Sequence, residues 1–391
     1  MRPSGALHLG HYHGVLKNWL QLQQQTECLF FAADWHALTT HYESPGQIAQ
    51  LTFEMVIDWL AVGIDPNQAT IFIQSQVPEH AELHLLLSMI TPLSWLERVP
   101  TYKDQQEKLK ERDLATYGFL GYPVLQSADI LIYHGARVPV GEDQVAHVEL
   151  TREIARRFNH LFGREADLEQ RVEEALQRLD PQTARRYREL RQRYQEQGDG
   201  ADLTAARGLV EAQSVLAPDE RRRLLGYLEG GARQILVEPQ ALLTSAPRLP
   251  GMDGQKMSKS YGNTIALREP LDQVAQKLRT MPTDPARVRR IDPGEPARCP
   301  VWGLHQVYSD ATMQNWVQTG CRTAGIGCLD CKKPLIEAIT AELAPIQARA
   351  RSFTEDRTRV DTILAEGAER AREQARATLT EVRQAMGLRA A

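Results

Sequence analysis

Residues 28–73 read CLFFAADWHALTTHYESPGQIAQLTFEMVIDWLAVGIDPNQATIFI, and the order of patterns within this stretch sets the fold class. CLFFAA (28–33) is a short apolar run of the kind buried on both faces of a parallel sheet. Ser44-Pro45-Gly46-Gln47 predicts a helix start, with Ser44 as N-cap, Pro45 in the first turn and Gln47 closing a capping box. Ile48, Leu51, Met55, Trp59 and Val62 then recur at helical spacing, and Gly63 supplies the stop. TIFI (70–73) predicts a second buried strand. Strand, helix, strand over so short a span is a βαβ unit, so an α/β fold with a parallel sheet is expected.

Composition sets the frame around that unit. The chain has 391 residues, 42% hydrophobic and 25% charged, enough for two or three domains. It contains no apolar run long enough to span a bilayer, and MRPSGALHLG lacks a signal-peptide core, so a soluble cytoplasmic protein is expected. A formal net charge of -4 excludes a globally basic nucleic-acid binder and leaves local basic patches open. From about 163 to 235 the chain becomes rich in Arg, Glu and Gln, with apolar residues at helical spacing, and reads as a helical insertion. Its Arg-rich stretch (178–193) interleaves Glu at pairing distance and reads as a solvated face. Near the C-terminus, Val360, Ile363, Gly367, Ala371, Ala375, Leu379, Val382 and Met386 form one stripe on a long helix.

Two motifs carry chemistry. HLGH (8–11) follows a Pro-Ser-Gly turn and precedes a helical pattern. Histidines three apart at a helix N-terminus can both face a phosphate, where backbone N–H groups already favour anions. Alone, such a pair also occurs as ordinary surface histidines. GMDGQKMSKSYGNT (251–264) places Lys256 and Lys259 on a glycine-containing loop able to close over a triphosphate and offset charge on a leaving pyrophosphate. Both motifs bracketing an α/β pattern is hard to produce by accident.

Together they resemble the signatures of class I aminoacyl-tRNA synthetases. RPSGALHLGHYHG, ADWHALTTHY, VGIDPNQATIFIQSQVP, GYPVLQSADILIY, VPVGEDQVAHVELTREIARRFN and GQKMSKSYGNTIAL resemble the bacterial tryptophanyl-tRNA synthetases over nearly the whole chain. The resemblance implies that His8 and His11 contact ATP phosphates and that Lys256 and Lys259 stabilise pyrophosphate, with Mg2+ bridging phosphate oxygens. It implies further ATP contacts at Pro3, Ser4, Gly10, Met257 and Ser258, and ribose contacts at Gly141 and Asp143. Asp129 would accept the indole N–H, Tyr122 and Gln144 would hold the amino acid head, and His36 and Gln126 would line the pocket. Gln126 stands where many members have an apolar methionine. The family also has a strand before its Pro-x-Gly segment, so with Met1-Arg2-Pro3 as the start that first strand is expected to be missing.

Four of the five cysteines, Cys299, Cys321, Cys328 and Cys331, form a C-x21-C-x6-C-x2-C pattern; Cys28 falls in the first predicted strand as a small hydrophobe. Four thiolates point to zinc or an iron–sulfur cluster. One CxxC with two distant single ligands, and glycines at 325 and 327, favours the bulkier [4Fe–4S] cubane, with Zn2+ as the alternative. A subset of the resembled family has nearly the same spacing and carries a [4Fe–4S] cluster beside the anticodon-binding region. Arg322, Lys332, Lys333 and PARVRR (285–290) flank the site and are expected to meet RNA phosphates.

The expected architecture is a Rossmann-like catalytic domain (1–162 and 236–292), a helical insertion (163–235) and a C-terminal all-α anticodon-binding domain (293–391). The expected activity is ATP-dependent ligation of L-tryptophan to tRNA-Trp by a homodimer away from any membrane. A tyrosine-activating enzyme, a smaller nucleotidyltransferase and an idle paralogue binding RNA or sensing tryptophan are the alternatives.

Overall fold

The computed structural model describes residues 1–99, 116–163, 167–197, 200–228, 233–243 and 249–389. It is helix-rich α/β with parallel sheets and a helical C-terminal region. Two compact units are formed by the described residues of 1–77 with 244–371, and of 78–243 with 372–391.

In the first unit, β1 (Cys28–Ala32) pairs in parallel with β2 (Ala69–Ile73), Phe30 facing Ile71. Cys28, Phe30 and Ala32 point inward, and four of the five β2 residues are buried, as a sheet covered on both faces requires. Met1 lies beside the end of β1: its amino group donates to the Phe31 carbonyl, and its own carbonyl accepts from Ala33 N–H. The helix between the strands, Ile48–Val62, is buried from Thr52 to Val62 apart from Glu54 and ends at Gly63 with φ 113°. Its start departs from the expected capping box. Pro45–Gln47 winds as a 3-10 turn, and Ser44 makes no capping hydrogen bond. The tighter turn shifts the true helix start to Ile48, out of reach of Ser44.

Trp19 stacks on Phe30 with ring centroids 4.2 Å apart and meets Trp59 edge-on. Helix Cys328–Glu355 lays Leu335, Ile339, Leu343 and Ile346 into the same core as the Ile48–Val62 helix, steps of four, four and three that keep one helical face inward. Arg357–Ala385 follows, with Val360, Ala371, Ala375, Leu379 and Val382 buried. Its Gly367 presses on the sheet so closely that a Cβ there would overlap the Ile71 carbonyl.

In the second unit, β3 (Arg137–Val140) pairs in parallel with β4 (Gln240–Leu243). Asn159, on helix Val145–Phe162, clamps the chain leading to β4: it accepts from Ile235 and Leu236 N–H and donates to Leu236 C=O at 2.8–2.9 Å. Four helices, Leu168–Gln177, Pro181–Gln197, Gly200–Glu211 and Pro218–Leu228, share an apolar cluster centred on Tyr187, Leu190, Val210 and Leu224. Their arginines pair on the outside, Arg178 with Glu220, Arg185 with Glu189 and Arg188 with Glu173.

Gly367→Ala tests the contact of the last helix with β2. Alanine gains about 1 kcal/mol in helix propensity, but the forced backbone shift costs about 1–3 kcal/mol or more. The variant is expected to unfold at lower denaturant; an unchanged or raised midpoint would refute the close approach.

Candidate active site

The predicted site residues divide between the two units. In the first, HLGH does not simply open a helix. Leu9–His11 make one turn, Tyr12–Leu16 a π-helix and Lys17–Leu22 an α-helix. The segment is bound to the chain just after the lysine loop: Leu9 N–H donates to Ile265 C=O and Leu267 N–H to Leu7 C=O, both at 3.0 Å, with His8 opposite Ala266. Asp58, buried on the central helix, accepts from Leu7 N–H and pairs with Arg268 at 2.7 Å. Two motifs about 250 positions apart are thereby fixed to each other.

That pairing decides the state of the histidines. Gly10 N–H donates to His8 Nδ1 at 3.1 Å, and His8 N–H donates to His11 Nδ1 at 3.2 Å. With both Nδ1 atoms accepting, each ring carries its proton on Nε2. The rings stand 3.7 Å apart. Burial, then the Lys259 charge, lowers His8 to about 4. Burial, then His8 and Lys259, lowers His11 to about 3. At neutral pH the pair presents two uncharged N–H donors, suited to phosphate oxygens.

Lys259 lies beside them and donates to Gly5 C=O at 2.8 Å; burial pulls its pKa down, against the opposing charge of Asp58. Lys256 stays exposed. The loop carrying both is held by Asn263, which accepts from Ser258 N–H and donates to Asp253 and to Lys256 C=O. Gly251 admits that side chain, since a Cβ there would collide with Asn263. Met257 is buried and packs near Gly10. Pro3 is buried, Ser4 exposed, and His36 buried on helix Asp34–His41.

The second unit carries the remaining residues. Helix Tyr117–Leu131, capped by Thr116, presents Tyr122, Gln126 and Asp129 at spacings of four and three, which is one face. Tyr122 Oη lies 2.9 Å from His147 Nε2. Asp129 is buried, its Oδ1 2.6 Å from His80 Nδ1, and His80 Nε2 is 2.6 Å from Tyr133 Oη. Burial, then Asp129 and Glu79, raises the Tyr133 hydroxyl, which therefore keeps its proton. Gly141 opens the short turn Glu142–Gln144 and lets the Asp143 carboxylate fold back onto it, while Gln144 donates to Asp143 at 3.0 Å. Sequence reasoning missed His80, Tyr133 and His147. Their one signal is a polar residue at an apolar helical position, which spacing cannot distinguish from ordinary core.

The four clustered cysteines line a single cavity of about 20 Å³ with Thr283, Asp284, Arg287 and Val301. Burial raises Cys331 to about 12, with Cys299, Cys321 and Cys328 adding to it. Cys299 precedes helix Pro300–Tyr308, and Cys328 and Cys331 lie in the first turn of Cys328–Glu355. Gly294 cradles Cys321, whose sulfur a Cβ would meet at 2.7 Å. Arg287 reaches Cys321 Sγ at 4.0 Å. The donor set fits a thiolate-bound centre. Among the described residues, however, no three His, Cys, Asp or Glu side chains converge closely enough for one metal ion. Two flanking cations point inward rather than to a partner: Lys332 donates to the Arg279 and Met281 carbonyls, and Arg287 to those of Arg290 and Ile326.

Residues 1–183 and 216–344 match the family "tRNA synthetases class I (W and Y)". The chain is 62% identical over 388 residues to a tryptophan–tRNA ligase of Ralstonia nicotianae, covering 99% of this chain and 97% of that one. Identity to the Thermotoga maritima tryptophan–tRNA ligase is 45%, over 99% and 98% of the chains. The fold is similar to the crystal structure of the Campylobacter jejuni tryptophanyl-tRNA synthetase complexed with ADP and tryptophan, with TM-score 0.75, 26% identity, and 99% and 98% coverage.

The histidine pair has a pH signature. Unfolded imidazoles take up protons near 6.5, whereas the folded rings do so only at about 4 and about 3. Their contribution to stability is therefore full above pH 6.5 and falls as pH drops towards 4 and 3. Nitrogen-15 spectra of the folded protein should show both as Nε2–H tautomers, still neutral at pH 5.5; charging near 6.5 would refute the buried geometry.

Proposed function

The chain belongs to the class I tRNA synthetases of the tryptophan and tyrosine type, and from that premise we propose that it ligates L-tryptophan to tRNA-Trp with ATP. A carboxylate oxygen of tryptophan attacks the α-phosphorus, the bond to the bridging oxygen breaks, and pyrophosphate leaves from tryptophanyl-adenylate. A terminal tRNA hydroxyl then attacks the carbonyl carbon and AMP leaves. The observation that carries this reading is the HLGH turn bound to the chain just after the lysine loop, which gathers His8, His11 and Lys259.

In this reading the neutral Nε2–H groups of His8 and His11 donate to phosphate oxygens whose charge grows during transfer. Lys259 and the exposed Lys256 offset charge on departing pyrophosphate, and Mg2+ travels with the ATP. Pro3, Ser4, Gly10, Met257 and Ser258 shape the nucleotide contacts, and Gly141 and Asp143 take the ribose. On the second unit, Asp129 accepts the indole N–H, Tyr122 and Gln144 hold the amino acid head, and Gln126 lines the ring; the family resemblance assigns His36 to tryptophan binding as well. An unpaired acceptor penalises phenylalanine, which has no such donor. The curated relatives at 62% and 45% identity favour tryptophan over tyrosine.

We also propose that Cys299, Cys321, Cys328 and Cys331 hold a metal centre, a [4Fe–4S] cluster with Zn2+ as the alternative. Four thiols around one cavity support it. When bound, such a centre would cross-link the segments that carry the cysteines. The same reading divides the chain into catalytic segments 1–162 and 236–292, an insertion at 163–235 and an anticodon-binding domain at 293–391. It also makes the protein a cytoplasmic homodimer; no described helix is long and apolar enough to cross a membrane.

Tryptophan-dependent ATP–pyrophosphate exchange is the direct test. Exchange with L-tryptophan and not tyrosine is expected, Lys259→Ala should lower kcat about 100-fold, and Asp129→Ala should erode selection against phenylalanine. tRNA binding without exchange would refute the activity. Iron, sulfide and zinc analysis of protein purified without oxygen tests the cysteines: about four irons and four sulfides per chain supports the cluster, one zinc the alternative, and no metal refutes the site.

A further inference from the structure

Two residues past His11, inside the π-helix, His13 is buried, yet its ring contacts are polar. Nε2 lies 2.8 Å from Tyr308 Oη and 3.0 Å from Glu342 Oε2. Tyr308 donates its own hydroxyl to the same Glu342 oxygen at 2.8 Å, and Lys17 pairs with the other oxygen at 2.8 Å. The His13 and Tyr308 rings meet edge-on at 5.0 Å. Burial would raise the Glu342 carboxyl, but the donors from His13 and Lys17 overrule it and hold the pKa down to about 2. Glu342 is thus a carboxylate accepting three hydrogen bonds at the edge of an apolar core.

Apolar side chains of similar volume would pack this position at least as stably, because a buried ionic cluster returns little net energy. What the cluster supplies instead is direction. Tyr308 stands on the last turn of Pro300–Tyr308, and Glu342 at mid-length of Cys328–Glu355, two helices anchored in the main core by Val301, Leu304, Ile339 and Leu343. Both grip one ring on the π-turn, a short i→i+5 departure from the α-helical ladder on either side of it. His8 and His11 are held to each other by the turn immediately before it.

We propose that His13, Tyr308 and Glu342 are positioning residues for adenylate formation, clasping the π-turn so that the Nε2–H donors of His8 and His11 keep their aim. This rests on the reading of those histidines as phosphate donors. Such aim must hold to within about 0.5 Å, and misplacement by about 1 Å costs on the order of 100-fold in rate. The clasp acts on the phosphate step and leaves tryptophan binding alone.

The test compares wild type, Glu342→Gln, Tyr308→Phe and the double variant in pyrophosphate exchange, with active-site titration so that rates refer to folded enzyme. Each single variant is expected to lower kcat about 10-fold or more while leaving KM for tryptophan within about twofold of wild type. The double variant should lose no more than the worse single one, because the three groups act as a unit. Lys17→Met, which removes the exposed partner, should change kcat less than either. A lowered Tm with kcat per active site unchanged makes the cluster merely structural and overturns the proposal, as does a rise confined to the tryptophan KM. If Tyr308→Phe fails to fold, the near-isosteric Glu342→Gln decides alone. Wild-type protein without exchange overturns the synthetase reading itself, an outcome distinct from variants that match an active wild type.

Discussion

Two backbone–backbone hydrogen bonds and one from backbone to carboxylate hold the HLGH turn to the chain after the lysine loop. Leu9 and Leu267 donate to Ile265 and Leu7, and Leu7 in turn donates to the buried Asp58 carboxylate. Each contact is individually worth about 1 kcal/mol, but they join the first of the unit's two chain segments to the second. Arg268, which follows the paired segment directly, completes the lock on Asp58 and Glu54. Without this pairing, HLGH and the lysine loop would be two local turns with no common frame.

That frame also determines protonation. Carrying His8 and His11 partly out of water next to Lys259 makes the imidazolium forms unfavourable, and the backbone N–H groups of Gly10 and His8 occupy the Nδ1 atoms. The same burial lowers Lys259, whose ammonium is held by Gly5 C=O. Neutral donors beside one cation suit a polyanionic ligand: hydrogen bonds fix its oxygens without a fixed excess of charge that would slow its release. On the second unit Asp129 is buried against His80, which in turn meets Tyr133, at 2.6 Å each.

The cysteines illustrate how the helices transmit geometry. Pro300–Tyr308 and Cys328–Glu355 begin at thiols that share a cavity, and further along they carry the Tyr308 and Glu342 that grip His13. The inward turn of Lys332 and Arg287 follows from the same crowding, since carbonyls left over at the ends of helix Leu271–Thr280 and of the loop before Cys328 need donors. Buried cations are stabilising there and would leave unpaired carbonyls if turned outward.

Periodicity alone determined much of this protein. The apolar runs at 28–33 and 70–73 became β1 and β2, the spacing from Ile48 to Val62 became the central helix with Gly63 as its stop, and the C-terminal stripe from Val360 to Val382 became the inner face of the last helix, with Ile363 half-buried and Met386 past the helix end. Local spacing reports local faces, and the two motifs stand out by residue type, so HLGH and the lysine loop could be singled out before the fold brought His8, His11 and Lys259 together. Tertiary structure decided what spacing cannot encode. The tautomers of His8 and His11 depend on the turn geometry, the partner of Tyr122 is a histidine 25 positions away, and the grip on His13 comes from 295 and 329 positions away. Ser44 looked like a cap and is not one, because a 3-10 turn and an α-turn share a sequence pattern but differ in reach. A hydrogen bond between residues so far apart in sequence leaves no period to read; it exists because the packed core brings two helices to one ring.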